Sequence, residues 1–561
     1  MKRKAIALIL AASMAALALT GCGGGSAASS SSEAAPAAET AVAAPAAEAG
    51  TAAEGASAQI QTEATSDDVV SAQVDVFNIA SDRDPTDLGP WAGNMGGASA
   101  QIPVVYQTLM IMELNKDWEP CLAKSVTKVD DKTYDVELFD YITDSEGNKL
   151  TSSDIVFGVE TAKSIGRVAA TKVVESIEVK DDYNFTVHFS DNFAMGDDQG
   201  FFCQTFFVTQ ASYEAEGNGM SQHPIGTGPY KLKEYVGGSV ISFEKRDDYW
   251  QTDAQYIARS SEAHADLINF QIITEATQRA IAIENGSLDY GSVALNDKQR
   301  LESEGYGIVP VPDNLTYMMF MNMDPASDVA GSKELRQALY YALDNAQIAA
   351  LYTSADAVPV YDISNSNYTD YYEEEYKAED NYYQYDIAKA QDLLKASGYD
   401  TSKPLKLICS SDQGSIEIAE IIKTFWQPLG INVEIESYQG NLMSDIAADP
   451  ANWDVYLLQY ASTDYAVNVW EKVLNKAKYA WGGTINFVMD EEVQNQLALV
   501  RTADGHTKEN VIAMHDYLVD QAWCMGLVQG IQYYACSDKL DVNNVVMSDQ
   551  RIIRPNATIF K

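Results

Sequence analysis

Between Gly23 and Asp68 the chain has no aromatic residue, no lysine and no arginine, and consists almost entirely of Gly, Ala, Ser, Thr, Pro and Glu. Such a composition cannot bury enough apolar surface to offset the entropy lost on ordering. Residues 22–68 are therefore predicted to be a disordered acidic tether, which gives reach to whatever follows it. Folding is confined to the body that begins near Val69 and runs to Lys561.

Ahead of the tether, Met1-Lys2-Arg3-Lys4 precede an apolar run from Ala5 to Leu19 and then Thr20-Gly21-Cys22. A basic start, a short apolar stretch and small residues at the cut describe a secretory signal over 1–21, too short for a spanning helix. An ordinary signal followed by a chance cysteine reads the same way up to Gly21. The "LTGC" stretch resembles the bacterial lipobox, which implies lipidation of Cys22. A diacylglyceryl group supplies two chains, enough for stable anchoring where one is marginal. The expected location is the cell membrane, lipid-anchored on the extracytoplasmic face.

The body is long enough for about three domains of ordinary size. Setting aside the signal's three basic and the tether's seven acidic residues, the formal charge of −43 leaves −39 on the body. That surface repels phosphate backbones, so no nucleic-acid partner is expected. Besides Cys22 the cysteines are Cys121, Cys203, Cys409, Cys524 and Cys536, an odd number without a CxxC pair. They read as small buried hydrophobes, with one bridge, such as Cys524 to Cys536, left open. His188, His223, His264, His506 and His515 are scattered. No metal site and no cofactor are expected.

Alternating apolar positions mark strands at Tyr134, Val136 and Leu138, at Phe185, Val187 and Phe189, at Ile241 and Phe243, and at Val433 and Ile435. Helical spacing appears at Leu335, Ala338, Leu339 and Ala342, and at Ile418, Ile422, Phe425 and Leu429, where Pro428 and Gly430 stop the run. "IEIAEIIKTFWQPLGINVEIES" is a helix followed by a strand, and the pairs near 134–138 and 177–189 suggest an antiparallel region. A mixed α/β chain of several lobes follows. The acid- and tyrosine-rich segment Asp370 to Tyr385 reads as a solvated loop, or as a binding lip.

"HPIGTGPYKL", His223 to Leu232, could be a phosphate cradle, but it lacks the G-x-x-x-x-G-K-[ST] spacing, and Pro229 removes a donor that a phosphate nest uses. No G-x-S-x-G elbow and no H-E-x-x-H is present. No catalytic residue is assigned and the chain is not expected to be an enzyme.

The same stretch belongs to an ordered series of blocks: "EPCLAKSV", "KTYDVEL", "DSEGNKLTSSDIVF", "PIGTGPYKL", "FEKRDDYW", "TQRAIAIENGSLDY", "YMMFMN", "LRQALYYALD", "YDIAKAQDLLKASGY" and "PLGINVEI". In this order the chain resembles the dipeptide- and oligopeptide-binding class of ABC-transporter solute-binding proteins, family 5. The resemblance implies an α/β fold of two lobes that close on a ligand in the manner of a Venus flytrap, with an extra domain inserted in lobe I. Lobe I would comprise 69–103, 222–312 and 530–561, the inserted domain 104–221 and lobe II 313–529. The chain would cross between lobes near Asp313 and Gly530, which makes a hinge. The GTGPY segment would then be scaffold, its glycines permitting positive φ and close approach, Pro229 fixing the exit into a strand after Tyr230, and Lys231 a surface charge.

The resemblance also implies a site. "LLQYASTDYAVNVW" matches the lobe II segment that carries main-chain contacts and an aspartate for the ligand's ammonium group. That places Asp464 on the ammonium and Tyr460, Ala461 and Ser462 on the backbone, although the proline common shortly afterwards is replaced here by Ala466-Val467. Asp464 read without the resemblance is an exposed helix cap. Trp481, in "YAWGGTINF", would wall the pocket or pack in the core. From lobe I, "VFNIASDRDPTDLGPW" offers Asn78, Ser81 and Arg83, the last of which could merely pair with Asp82 or Asp84. The implied partners are a small-molecule or peptide ligand, ABC permease subunits and the membrane through the lipid anchor, with the receptor a monomer. The same fold could instead bind an oligosaccharide, a nickel complex or an opine, and a secreted enzyme or adhesin on a related scaffold is the reading from another class.

Overall fold

The computed structural model describes residues 71–92, 99–112, 118–194, 196–325, 327–361, 383–447, 449–461, 470, 474–475, 490–545, 547 and 553–561. In chain order the first strands are β1 (Val74–Ser81), β2 (Met110–Met112), β3 (Trp118–Pro120), β4 (Ala123–Asp130), β5 (Thr133–Leu138), β6 (Val174–Val179) and β7 (Asn184–Phe189). They are followed by β8 (Tyr230–Val236), β9 (Val240–Lys245), β10 (Ala265–Ile272), β11 (Tyr290–Val293) and β12 (Gly307–Met321). The last are β13 (Asp356–Pro359), β14 (Pro404–Ser410), β15 (Asn432–Tyr438), β16 (Val455–Ala461) and β17 (Cys524–Cys536).

Ten of these form one path in the order β15-β14-β16-β12-β17-β11-β1-β10-β9-β8, with β13 also paired to β17. The two long central strands carry the chain from one core to another. Val309 and Val311 of β12 belong to the core built on β1 and β10, whereas Tyr317 to Met321 belong to the core built on β14 and β16. β17 makes the return passage: Cys524 to Val528 lie in the second core, and Cys536 lies in the first. Between the two halves the antiparallel register of β12 and β17 slips, between Pro312 and Thr316 and again between Tyr317 and Met318. Pro310 and Pro312 fall on positions of one parity in the half of β12 that β16 does not reach, so their missing N–H groups fit an unpaired edge.

A third core sits on the four-stranded antiparallel sheet β4-β5-β7-β6. Tyr134, Val136 and Leu138 face it from β5, and Phe185, Val187 and Phe189 from β7, as their alternation requires. The helix Ser152–Ile165 covers it through Ile155 and Val159. Its start is fixed by a capping box, in which the Thr151 backbone N–H donates to Asp154 at 2.7 Å. The helix expected around Leu335 runs over Lys333–Tyr341, and that around Ile418 over Gln413–Trp426, with Gly430 at φ +70° ending the turn after it.

The GTGPY segment is scaffold, for a reason narrower than positive φ. Neither Gly226 nor Gly228 has a positive φ. Both pass so close to the backbone of Val105 that a Cβ would lie 2.2 and 2.6 Å from its carbonyl oxygen, and the Gly228 N–H donates to that oxygen at 2.7 Å. Trp250 donates its indole N–H to the Thr227 carbonyl at 2.9 Å, and Lys231 pairs with Glu244 at 3.3 Å on the surface. Close approach alone selects glycine here.

The five described cysteines are all buried, and Cys121, Cys409, Cys524 and Cys536 are free thiols. Cys524 and Cys536 end the same strand at opposite tips, so the bridge left open between them is not formed. Burial pushes the thiols of Cys121, Cys409, Cys524 and Cys536 up to about 12. Most of the Asp370–Tyr385 segment lies outside the described residues, but its Tyr383 is no solvated loop residue. It packs at 4.6 Å on the ring of Tyr341 and donates to the Val519 carbonyl at 2.7 Å.

Candidate functional site

Strand directions place the site. β1 is parallel to β10 and β11, β11 is antiparallel to β17, and β17 is antiparallel to β12. β10, β1 and β11 therefore run with β12, from the first core toward the second. β16 is antiparallel to β12, and β14 and β15 are parallel to β16, so these three run the opposite way. Two sets of strand carboxyl ends thus face each other across the register slip of the crossing strands. Carboxyl ends of strands in open α/β sheets are where ligands collect, because the loops there are free to vary. The facing ends are those after Ser81, Ile272 and Val293 on one lobe and after Ser410, Tyr438 and Ala461 on the other.

On the first lobe, Asn78 is held in the sheet. Its backbone N–H donates to Asp289 Oδ2 at 2.9 Å, and its Oδ1 accepts from Asn269 at 3.0 Å. Asp289 is 1% exposed and is balanced by Lys539 at 2.8 Å. Ser81, also buried, donates to the Arg83 carbonyl at 2.7 Å and accepts from Gln101 at 3.1 Å. Arg83 is exposed and pairs with Asp82 at 3.1 Å, while Asp84 accepts from Tyr235 and from the Gly238 N–H. The structure thus gathers Asn78, Ser81 and Arg83 at one strand end and gives each a partner within the chain.

Two residues at this end escaped the sequence reading. Arg279 is buried and its guanidinium donates to the carbonyls of Ile273 and Thr274 at 2.8 Å and of Ser292 at 2.7 Å. It ties the carboxyl ends of β10 and β11 together, and burial lowers its pKa. Gln101 is 3% exposed, and its Oε1 has no hydrogen-bond partner among the described residues. The block "TQRAIAIENGSLDY" contains Arg279, but a charged residue on a helix reads as surface until the helix is docked.

On the second lobe, β16 is paired along its whole length with the second half of β12, from Met321 opposite Val455 to Leu315 opposite Ala461. β14 pairs β16 only at Val455, Tyr456 and Leu457. Leu458 to Ala461 therefore overhang β14, and along that edge alternate residues present backbone N–H and C=O groups that no described strand takes. Tyr460 and Ala461 stand in this overhang. Ser462, Asp464 and Trp481 lie outside the described residues.

Beside the overhang the helix Gln413–Trp426 starts directly after β14. Gly414 leaves room for two phenols: a Cβ there would lie 2.5 Å from the hydroxyls of both Tyr317 and Tyr352. Burial works to raise the pKa of Asp412, the helix cap, but hydrogen bonds from Ser415 and Ser410 outweigh it and keep the carboxyl below its usual range. Glu417 behaves alike: burial opposes its charge, and donors from Ser354 and Thr353 more than restore it. Both carboxylates stay ionised at neutral pH and are satisfied within the lobe.

Two lobes joined by two crossing strands, with carboxyl ends facing inward and an open backbone edge on one of them, define a solute-binding architecture. The comparisons agree. Residues 117–477 match the model of the bacterial extracellular solute-binding proteins, family 5. The chain belongs to that family. The oligopeptide-binding protein AppA of Bacillus subtilis is 24% identical over 357 residues, covering 59% of this chain and 63% of its own length. The matched stretch thus spans about three-fifths of that relative. The structure of the ABC-transporter substrate-binding protein CtaP of Listeria monocytogenes superposes with a TM-score of 0.72 at 23% identity, covering 87% of this chain and 99% of that one. The structure of B. subtilis AppA in complex with a nonapeptide gives 0.67 at 17% identity over 88% of this chain and 100% of that one. The fold is thus the two-lobed α/β fold of family 5.

Proposed function

We propose that the chain is the receptor of an ABC importer, capturing a peptide-like solute between its lobes and handing it to permease subunits without converting it. The overhang of β16 carries this reading. An extended peptide can add to such an edge as a further strand, with its main chain paired whatever its side chains are. The name of AppA and the nonapeptide in its solved complex support the same solute class. Asp464, three residues beyond Ala461, takes the solute's ammonium group, Ser462 extends the backbone contacts, and Trp481 walls the pocket. The internal hydrogen bonds of Asn78 and Ser81 suit positioning of the opposite wall, with Arg83 at its rim. The hinge falls near Asp313 and Gly530, a placement favoured by the register slip of β12 on β17. Mass spectrometry of solute co-purified from native cells tests the reading. Peptides with free amino ends are expected, and a neutral oligosaccharide in their place would overturn it.

The second part of the reading is anchoring. Cys22 carries the lipid, and residues 22–68 let the body range above the membrane face. No helix among the described residues is long and apolar enough to cross a membrane. Cys22→Ser should shift the protein from the membrane fraction to the soluble one; undiminished retention of that variant would refute the lipid anchor.

A further inference from the structure

We propose that Arg501 is a clasp between the lobes, holding the second lobe against the four-stranded domain. The inference rests on the two-lobed receptor reading and adds a residue that sets its open–closed balance. Arg501 Nη2 donates to the backbone carbonyl of Asn192 at 2.7 Å, across a sequence separation of 309 residues.

Both partners are held rigidly by their own sides. Arg501 caps the helix Glu491–Val500, its N–H bonded to the Leu497 carbonyl at 3.1 Å. The turn after it is locked. A Cβ on Gly505 would lie 2.1 Å from the Leu499 carbonyl oxygen, and the buried His506 engages the Val500 carbonyl at 3.0 Å through Nδ1. On the other side, Asn192 lies in a turn closed by the Phe193 N–H to the Ser190 carbonyl at 3.0 Å. Phe193 anchors that turn in the third core, its ring 4.8 Å from that of Phe189, and Lys132 holds Asp191 at 2.7 Å.

Neither partner lies on β12 or β17, so the crossing strands do not impose the contact. A second interlobe bond behaves differently. Tyr533 of β17 donates to Asp356 Oδ2 at 2.5 Å, but Asp356 sits on β13, which is itself paired to β17 at Ile531. That bond rides with the crossing when the lobes swing. The Arg501 contact does not, and it must break as the cleft opens. An exposed charge-assisted hydrogen bond shifts a two-state balance by up to about fivefold. The guanidinium fork suits a carbonyl held at fixed range better than an ammonium does.

Small-angle scattering of the full, ligand-free chain tests the clasp in wild type, R501A and R501K. R501A is expected to lower the closed-to-open ratio by up to about fivefold and enlarge the radius of gyration, with R501K between the two. Identical scattering from wild type and R501A, with both folded by circular dichroism, would overturn the clasp. No solute enters this measurement, so failure of the peptide reading, which shows only when solute is identified or added, is told apart from failure of the clasp.

Discussion

Arg246→Met should destabilise the protein by about 1–3 kcal/mol, the cost of leaving a buried acceptor without its donor. The Arg246 side chain is fully buried, yet its charge partner Asp248 is largely exposed. Its hold therefore comes mostly from carbonyl groups. Nη2 donates to the Asp144 carbonyl at 2.9 Å, and Nη1 to the Gly228 carbonyl at 3.2 Å and, at longer range, to those of Gly226 and Thr143. One guanidinium thus fastens the turn at 143–144 to the GTGPY segment, where the four-stranded domain meets the first lobe. Methionine fills the volume, and the Asp144 and Gly226 carbonyls keep the N–H groups of Gly147 and Ser145, but the Gly228 carbonyl loses its donor in a place water does not reach. Lysine keeps the charge and still fails, because a single ammonium cannot serve carbonyls spread around a planar fork. Urea unfolding of wild type, Arg246→Met and Arg246→Lys checks this. A loss below about 1 kcal/mol in the methionine variant would show that the carbonyls find other donors.

Arg246 also marks the limit of what the sequence discloses. The strands at Tyr134, Phe185, Ile241 and Val433 and the helices at Leu335 and Ile418 were legible because period 2 and period 3.6 are local properties of the chain. The block "FEKRDDYW" was recognisable as a pattern, but nothing in it says that its arginine points inward. The buried arginines Arg246, Arg279 and Arg336 all resemble surface residues by type, and each is spent on backbone carbonyls. Such a role depends on which loops the fold brings together, and a one-dimensional pattern does not carry that.

β12 illustrates the same limit from the other side. "GIVPVPDNLTYMMFM" holds two prolines, which argue against a central strand, and only its "YMMFM" half reads as one. It is nevertheless a single 15-residue strand, because its proline half is paired on one side only. For the glycines of GTGPY the sequence allows positive φ and close approach alike, and of the two it is close approach to Val105 that selects them. Asn78, Ser81 and Arg83 stand together at the end of β1, and their internal partners Asp289, Gln101 and Asp82 come from pairing and loop closure, which no local pattern carries. The overhang of β16 is a relation between three strands, and no segment announces it alone.

Asp464→Asn should weaken a peptide with a free amino end by about two to three orders of magnitude. The expectation joins the overhang to the residue just beyond it. On the proposed reading a peptide laid along Leu458 to Ala461 would be held by main-chain groups that accept many sequences, so discrimination would have to come from its termini. A carboxylate closed off from water by two lobes is stabilised when an ammonium faces it, and removing one member leaves the other charge unpaired at roughly 3–5 kcal/mol. Part of that penalty is relieved where water can follow the ligand in, which brings the expected loss to a few kcal/mol, or two to three powers of ten. The body's formal charge of −39 does not substitute for the pair, since diffuse charge is screened within about 10 Å at ordinary salt. An N-acetylated version of the same peptide should bind the wild type poorly and lose far less on Asp464→Asn. Calorimetry on two proteins and two peptides closes a double-mutant cycle, in which the coupling between Asp464 and the amine is read directly. Coupling near zero would remove Asp464 from the ammonium site while leaving the backbone edge of β16 to be tested by its own variants.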